Sequence, residues 1–123
     1  MTEHEPRGPE VFATDVDGAA VTERSPQLVE TPQGKLALVR DGARVVAIDA
    51  WCPHLDGPLW EGSSAGGEIA CPWHRWRYSL DTGRCTWAPK GDAEEAAETS
   101  IEVYPTALDP QGRIQVMLGD QPG

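Results

Sequence analysis

A chain of 123 residues with 39% hydrophobic and 24% charged content is sized for one domain that buries roughly two-thirds of its unfolded surface without disulfide staples. Ten Lys and Arg against twenty Asp and Glu give a formal charge of −10, which excludes nucleic-acid binding through a basic footprint. No apolar run approaches the ~18 residues of a membrane span. The charged N-terminus also lacks the apolar core of a secretory signal, so a cytoplasmic protein without membrane attachment is expected.

In chain order, residues 1–9 hold His4 in a polar, proline-containing stretch and are expected to be disordered or extended. From residue 10 to residue 119, turn signals recur at Asp17-Gly18, 32–34, Asp41-Gly42, Gly66-Gly67, Thr82-Gly83 and 109–112. Short runs with period-2 alternation lie between them and predict strands. Residues 36–40 and 44–49 flank Asp41-Gly42-Ala43 as a hairpin. Residues 27–30 pair with the first of these. Residues 77–80 form a further strand, and Cys85 is expected as a small buried hydrophobe in another. Residues 59–65 hold too much Gly and Ser for a helix. Residues 92–98 are rich in Ala and Glu but too short for a stable helix, and predict a loop with one helical turn. Residues 101–104 and 113–118 make a last pair, with Ile114, Val116 and Leu118 on one face. The sum is an all-β single domain without repeats.

Between the strands at 44–49 and 77–80 lie two segments of unusual chemistry. They are Cys52-Pro53-His54 and, after sixteen intervening residues, Cys71-Pro72-Trp73-His74. A Cys2His2 zinc finger pairs its cysteines in one arm and its histidines in the other. Here each arm mixes one thiolate with one imidazole. Two metals of different softness can then each take one ligand from each arm. A [2Fe–2S] cluster in which two His replace two Cys on one iron needs that division. The candidate ligands are therefore Cys52, His54, Cys71 and His74. His4 is the single histidine left, so this sequence holds no pair for a 2-His-1-carboxylate iron site. No Ser-His-Asp or Cys-His site survives the same count, no catalytic residue is assigned, and the chain is not read as an enzyme by itself.

The chain resembles the Rieske iron–sulfur proteins, in particular the small soluble Rieske-type ferredoxins, from about Glu10 to Leu118. The matching stretches are Ala47-Ile48-Asp49-Ala50-Trp51-Cys52-Pro53-His54, Pro58-Leu59-Trp60-Glu61-Gly62, Ile69-Ala70-Cys71-Pro72-Trp73-His74 and Arg77-Tyr78-Ser79-Leu80-Asp81-Thr82-Gly83. The resemblance implies an antiparallel β-sandwich base with a small cluster-binding subdomain inserted at about residues 50–90. It implies one Rieske-type [2Fe–2S] cluster, with Cys52 and Cys71 on the inner iron and His54 and His74 on the outer one. Rieske proteins of respiratory complexes add a Cys to each arm and join the two as a disulfide. Gly57 and Trp73 stand at those positions here, which points to the ferredoxin and oxygenase branch.

The same resemblance singles out Trp76, Tyr78 and Pro89 around the cluster. High-potential Rieske proteins carry a Ser two residues, and a Tyr four residues, after the second His. This chain has Trp76 and Tyr78 there, so one hydrogen-bond donor is lost and Tyr78 stands as the other, or as a strand residue packing its ring. A potential in the lower part of the Rieske range is implied. Ala88-Pro89 falls where the family places a proline-containing loop against the cluster. Arg75 stands where the family has Gly, and an ordinary backbone conformation with a solvent-facing side chain is expected. The five tryptophans, Trp51, Trp60, Trp73, Trp76 and Trp87, are expected to fill the subdomain core, with one or two lining an exposed rim. Between residues 51 and 91 acids and bases balance, giving a neutral docking face on an acidic body.

The functional expectation is a one-electron carrier, monomeric, between a flavin-dependent NAD(P)H reductase and a terminal oxygenase of a ring-hydroxylating system. A Rieske-like small subunit of an NADH-dependent nitrite reductase is an alternative within the same chemistry. A Cys2His2 zinc-binding interaction module is an alternative of a different class.

Overall fold

The computed structural model describes residues 10–53, 56–73, 75–89 and 91–119. Its strands are β1 (Glu10–Asp17), β2 (Gln27–Thr31), β3 (Gly34–Asp41), β4 (Arg44–Asp49), β5 (Ser63–Ala65), β6 (Glu68–Ala70), β7 (Arg77–Ser79), β8 (Cys85–Trp87), β9 (Val103–Leu108) and β10 (Arg113–Gly119). One short helix, α1, covers Ala93–Ala97. The strands form two antiparallel sheets, of order β1-β10-β9-β4-β3-β2 and β5-β6-β7-β8. The fold is all-β, and the small sheet is an insertion between β4 and β9.

The β3–β4 hairpin organises the molecule. Asp41 pairs with Arg44, leaving Gly42 and Ala43 at the tip, with Gly42 at φ 62° where a side chain would be strained. Both strands are buried on both faces, and the alternation sorts their side chains into two cores. Leu36, Leu38, Val45 and Ala47 meet Ile114, Val116 and Leu118 of β10 inside the base. Ala37, Val39, Val46 and Ile48 face Cys52, Leu59, Ile69, Cys71, Trp76, Tyr78, Leu80 and Ile101 in the second core. Each of the larger aliphatic chains contributes about 1.5–3 kcal/mol by leaving water. One hairpin thus supports the base and carries the inserted sheet.

Strand β9 changes neighbours halfway. Val103, Tyr104 and Pro105 pair with β4, whereas Thr106, Ala107 and Leu108 pair with β10. Pro105, which has no N–H to give, sits where one ladder ends and the next begins. The strand expected at 101–104 therefore lies further on. Ile101 is drawn out of it into the second core, with its N–H on Gly83 O at 2.8 Å. The segment 59–65 is a 3₁₀ turn (Leu59–Glu61) followed by β5, and 92–98 contains the single helical turn that its composition allows. Strand β1 pairs with β10 across most of the chain length. Among the described residues no helix is long and apolar enough to cross a membrane.

Candidate metal centre

The two cysteine segments form loops of one design. In the first, following β4, the Cys52 N–H donates to Gly57 O at 2.7 Å. In the second, between β6 and β7, the Cys71 N–H donates to Trp76 O at 2.8 Å. Each bond spans five residues, each cysteine is followed by proline, and the fourth residue after each cysteine has positive φ: Asp56 at 61° and Arg75 at 62°. Arg75 therefore keeps the left-handed conformation that a glycine would supply, contrary to the ordinary backbone expected for it. Its Cβ makes that geometry cost about 1–2 kcal/mol. The repeated Cys-Pro was the sequence signal for this duplication.

The loops bring both sulfurs together. Cys52 and Cys71 are each 1% exposed and share the second core. Burial pushes the Cys71 thiol up to about 11; the Trp73 N–H pulls it down, and the neighbouring Cys52 adds to the rise. Tyr78, on β7 and wholly buried, places its hydroxyl 3.0 Å from the Cys52 sulfur. Its pKa is raised, mainly by burial and then by Cys52. Gly57 closes the space from the other side: a Cβ there would lie 2.6 Å from the Cys71 sulfur and 3.2 Å from Trp73 Cβ. Gly57 and Trp73 are thus packed against each other, glycine against indole, and the cysteines are free.

Two adjacent thiols, buried and with Cys71 resistant to ionisation, are inert unless a metal displaces their protons. That donor set fits the sulfur-bound half of an iron–sulfur centre. The histidines expected on the other half, His54 and His74, lie outside the described residues, as do His4 and residues 1–9. Of the other expected residues, Trp76 is fully buried in the same core. Pro89 is partly buried in the turn leading into α1, where its carbonyl accepts the Asp92 N–H at 3.0 Å. It is Ala88 beside it that packs against the core. Cys85 lies on β8, only partly buried, with its thiol raised by burial.

The tryptophans depart from expectation. Trp76 alone is fully buried and Trp60 is partly so, while Trp51, Trp73 and Trp87 are 42%, 49% and 49% exposed. Trp51 meets Trp60 edge to face at 6.5 Å. Among the described residues the Trp60 indole N–H is buried without a partner, a donor left over in the core that holds both sulfurs. An aromatic surface therefore adjoins the two loops, with Trp51 and Trp73 next to or within them and Trp87 on β8 beside Arg75 and Arg77. Its charge is uneven as well, because Arg24, from the segment before β2, joins Arg75 and Arg77 beside Cys71.

Comparison with known proteins gives this arrangement a family. The chain is 32% identical over 93 residues to oxidoreductase NdmD of Pseudomonas putida, and 34% identical over 96 residues to apoptosis-inducing factor 3 of Homo sapiens. Each alignment covers 72% of this chain but only 15% and 16% of those proteins, so the chain spans about a sixth of their length. Among solved structures, apo dicamba monooxygenase superposes with a TM-score of 0.74 at 24% identity, over 90% of this chain and 34% of that one. The Sphingomonas yanoikuyae B1 ferredoxin matches at 0.67 and 23% identity, over 96% and 100%. A chain from a complex of reduced oxygenase and oxidised ferredoxin in carbazole 1,9a-dioxygenase matches at 0.71 and 19%, over 92% and 97%. The Rieske [2Fe–2S] domain family model matches residues 12–105. This chain belongs to the Rieske [2Fe–2S] domain family, and its centre is a Rieske-type [2Fe–2S] cluster.

Proposed function

We propose that the chain is a Rieske-type ferredoxin, a one-electron carrier from a flavin-dependent NAD(P)H reductase to the terminal oxygenase of a ring-hydroxylating system. The carrying observation is the pair of buried sulfurs, Cys52 and Cys71, held side by side by two matching loops with the Tyr78 hydroxyl on one of them. In this reading Cys52 and Cys71 hold one iron, and His54 and His74 the other. The cluster supplies a one-electron centre. The chain's own residues shield the sulfurs from water, set their hydrogen bonding and present an aromatic surface to a partner. The likeness of the fold to the Sphingomonas yanoikuyae B1 ferredoxin supports the carrier role. The domain then runs over residues 10–119, with its cluster-binding part at about 50–90.

The test is spectroscopy and kinetics on anaerobically purified protein. A brown protein with two irons and a rhombic EPR signal after one-electron reduction is expected. It should pass electrons from a flavin reductase to an oxygenase. A colourless protein with one bound zinc would refute this reading in favour of the Cys2His2 interaction module. Delivery to a sirohaem nitrite reductase, and not to an oxygenase, would assign the nitrite reductase small-subunit role.

A further inference from the structure

A groove of about 460 Å³ runs beside Cys71, lined by Arg24, Glu61, Pro72, Arg75 and Arg77 among others. Arg75 and Arg77 continue round its edge to Trp87. Arg24 arrives from the base of the protein, where the neighbouring Glu23 carbonyl accepts the Ser64 N–H at 3.0 Å and fixes that segment to β5. Among the described residues three guanidinium groups therefore face one lining carboxylate, on a chain of charge −10. Among the described residues neither Arg24 nor Arg75 has an ion-pair partner, and Arg77 reaches only Glu68 at 3.7 Å.

Guanidinium groups bind carboxylates through paired, directional hydrogen bonds. Half-exposed Trp87 adds apolar area at the edge it shares with Arg75 and Arg77. Arginine together with tryptophan is the composition of a protein-binding patch, not of a small-anion site. We propose that this groove seats an acidic patch, Asp and Glu side chains, on the protein that exchanges electrons with this chain. The proposal rests on the carrier reading above. Net charge alone requires the opposite, since a chain of −10 repels an acidic partner. At an ionic strength of about 0.1 M the screening length is about 10 Å, so at contact the groove's own charges outweigh the distant acidic body.

The experiment is stopped-flow reduction of the oxidised holoprotein by two carriers. One is the hydroquinone of an acidic flavodoxin; the other is a neutral deazaflavin radical that serves as reference for every variant. The readout is the ratio of the two rate constants. In the wild type this ratio is expected to fall as ionic strength rises from about 0.05 to 0.3 M. Arg24→Glu should lower the ratio about tenfold at low salt, with Arg24→Gln intermediate and available if the reversal does not fold. Lys35→Glu, the same charge change on β3, should alter it less than about twofold. A ratio that rises with salt in the wild type overturns the proposal, as does an Arg24 effect no larger than that of Lys35→Glu. Saturable inhibition by inorganic phosphate at constant ionic strength would make the groove a small-anion site and also overturn it. Failure with the neutral carrier would overturn the carrier reading and this proposal with it. Normal exchange with the neutral carrier but repulsive salt dependence overturns docking alone.

Discussion

The Tyr78 hydroxyl stands 3.0 Å from the Cys52 sulfur, in a core that water does not reach. In the proposed ligation that sulfur has no proton to give, so the hydroxyl would be the donor and would favour the more negative, reduced state. Tyr78→Phe removes one such bond, worth about 0.5–1.5 kcal/mol. The midpoint potential should fall by about 20–60 mV for one electron. Protein-film voltammetry measures this directly, and an unchanged potential would remove Tyr78 from any role at the sulfur.

The metal-free protein should lose stability in alkali. Burial pushes the folded Cys71 thiol up to about 11, against 9.0 for an ordinary thiol. A raised folded-state pKa means that the folded chain holds more protons between these values. The stabilisation is complete below about pH 9 and is lost as pH rises through about 11. Urea midpoints of metal-free protein should therefore decline across that window. The holoprotein, whose thiols would already have lost their protons in the proposed ligation, should lack this step.

Gly57 has no room for a methyl group. With a Cβ only 2.6 Å from the Cys71 sulfur, Gly57→Ala must push the two loops apart. Iron content after anaerobic reconstitution should drop well below one cluster per chain, while far-UV circular dichroism of the base sheet persists. Full loading of the variant would show that the loops yield freely.

Arg75→Gly should stabilise the protein. Relief of the positive φ is worth about 1–2 kcal/mol, partly offset by the greater freedom of glycine in the unfolded chain. A net gain of about 0.5–1 kcal/mol in denaturant unfolding is expected. A loss would mean that the Arg75 side chain makes a contact stronger than the strain.

Tryptophan deletions should separate cleanly. Trp76→Ala empties a fully buried site and should cost about 3–5 kcal/mol. Trp87, at 49% exposure, should cost much less on the same change and act instead on partner affinity. Equal destabilisation would contradict the division of the aromatics into core and surface.

What was legible in the sequence was local. The spacing of the two Cys-Pro segments and the Gly42 turn are fixed over a few residues, so the Cys52 and Cys71 loops and the β3–β4 hairpin could be read directly. Strand β1 could not, because its partner β10 lies about a hundred residues away, and Thr14 finds its hydrogen bond on Ile114 O at 2.7 Å. The tryptophans were misread for a related reason. Their clustering in sequence says nothing about which face of a loop each occupies, and only Trp76 points wholly inward. Arg75 followed a statistical preference that its loop overrides, since the Cys71-to-Trp76 bond forces the turn whichever residue stands there. The approach of Arg24 to Cys71 depends on the Glu23–Ser64 link between sheets, which no short-range pattern encodes.

The seam where Gly57 meets Trp73 also frees the protein from a dependence on oxidising surroundings. A disulfide joining the two arms would be open to any strong enough reductant. Here the clamp is van der Waals contact, which glutathione or thioredoxin cannot touch. The fold should therefore mature and keep its shape in a compartment where every cysteine is held as a thiol.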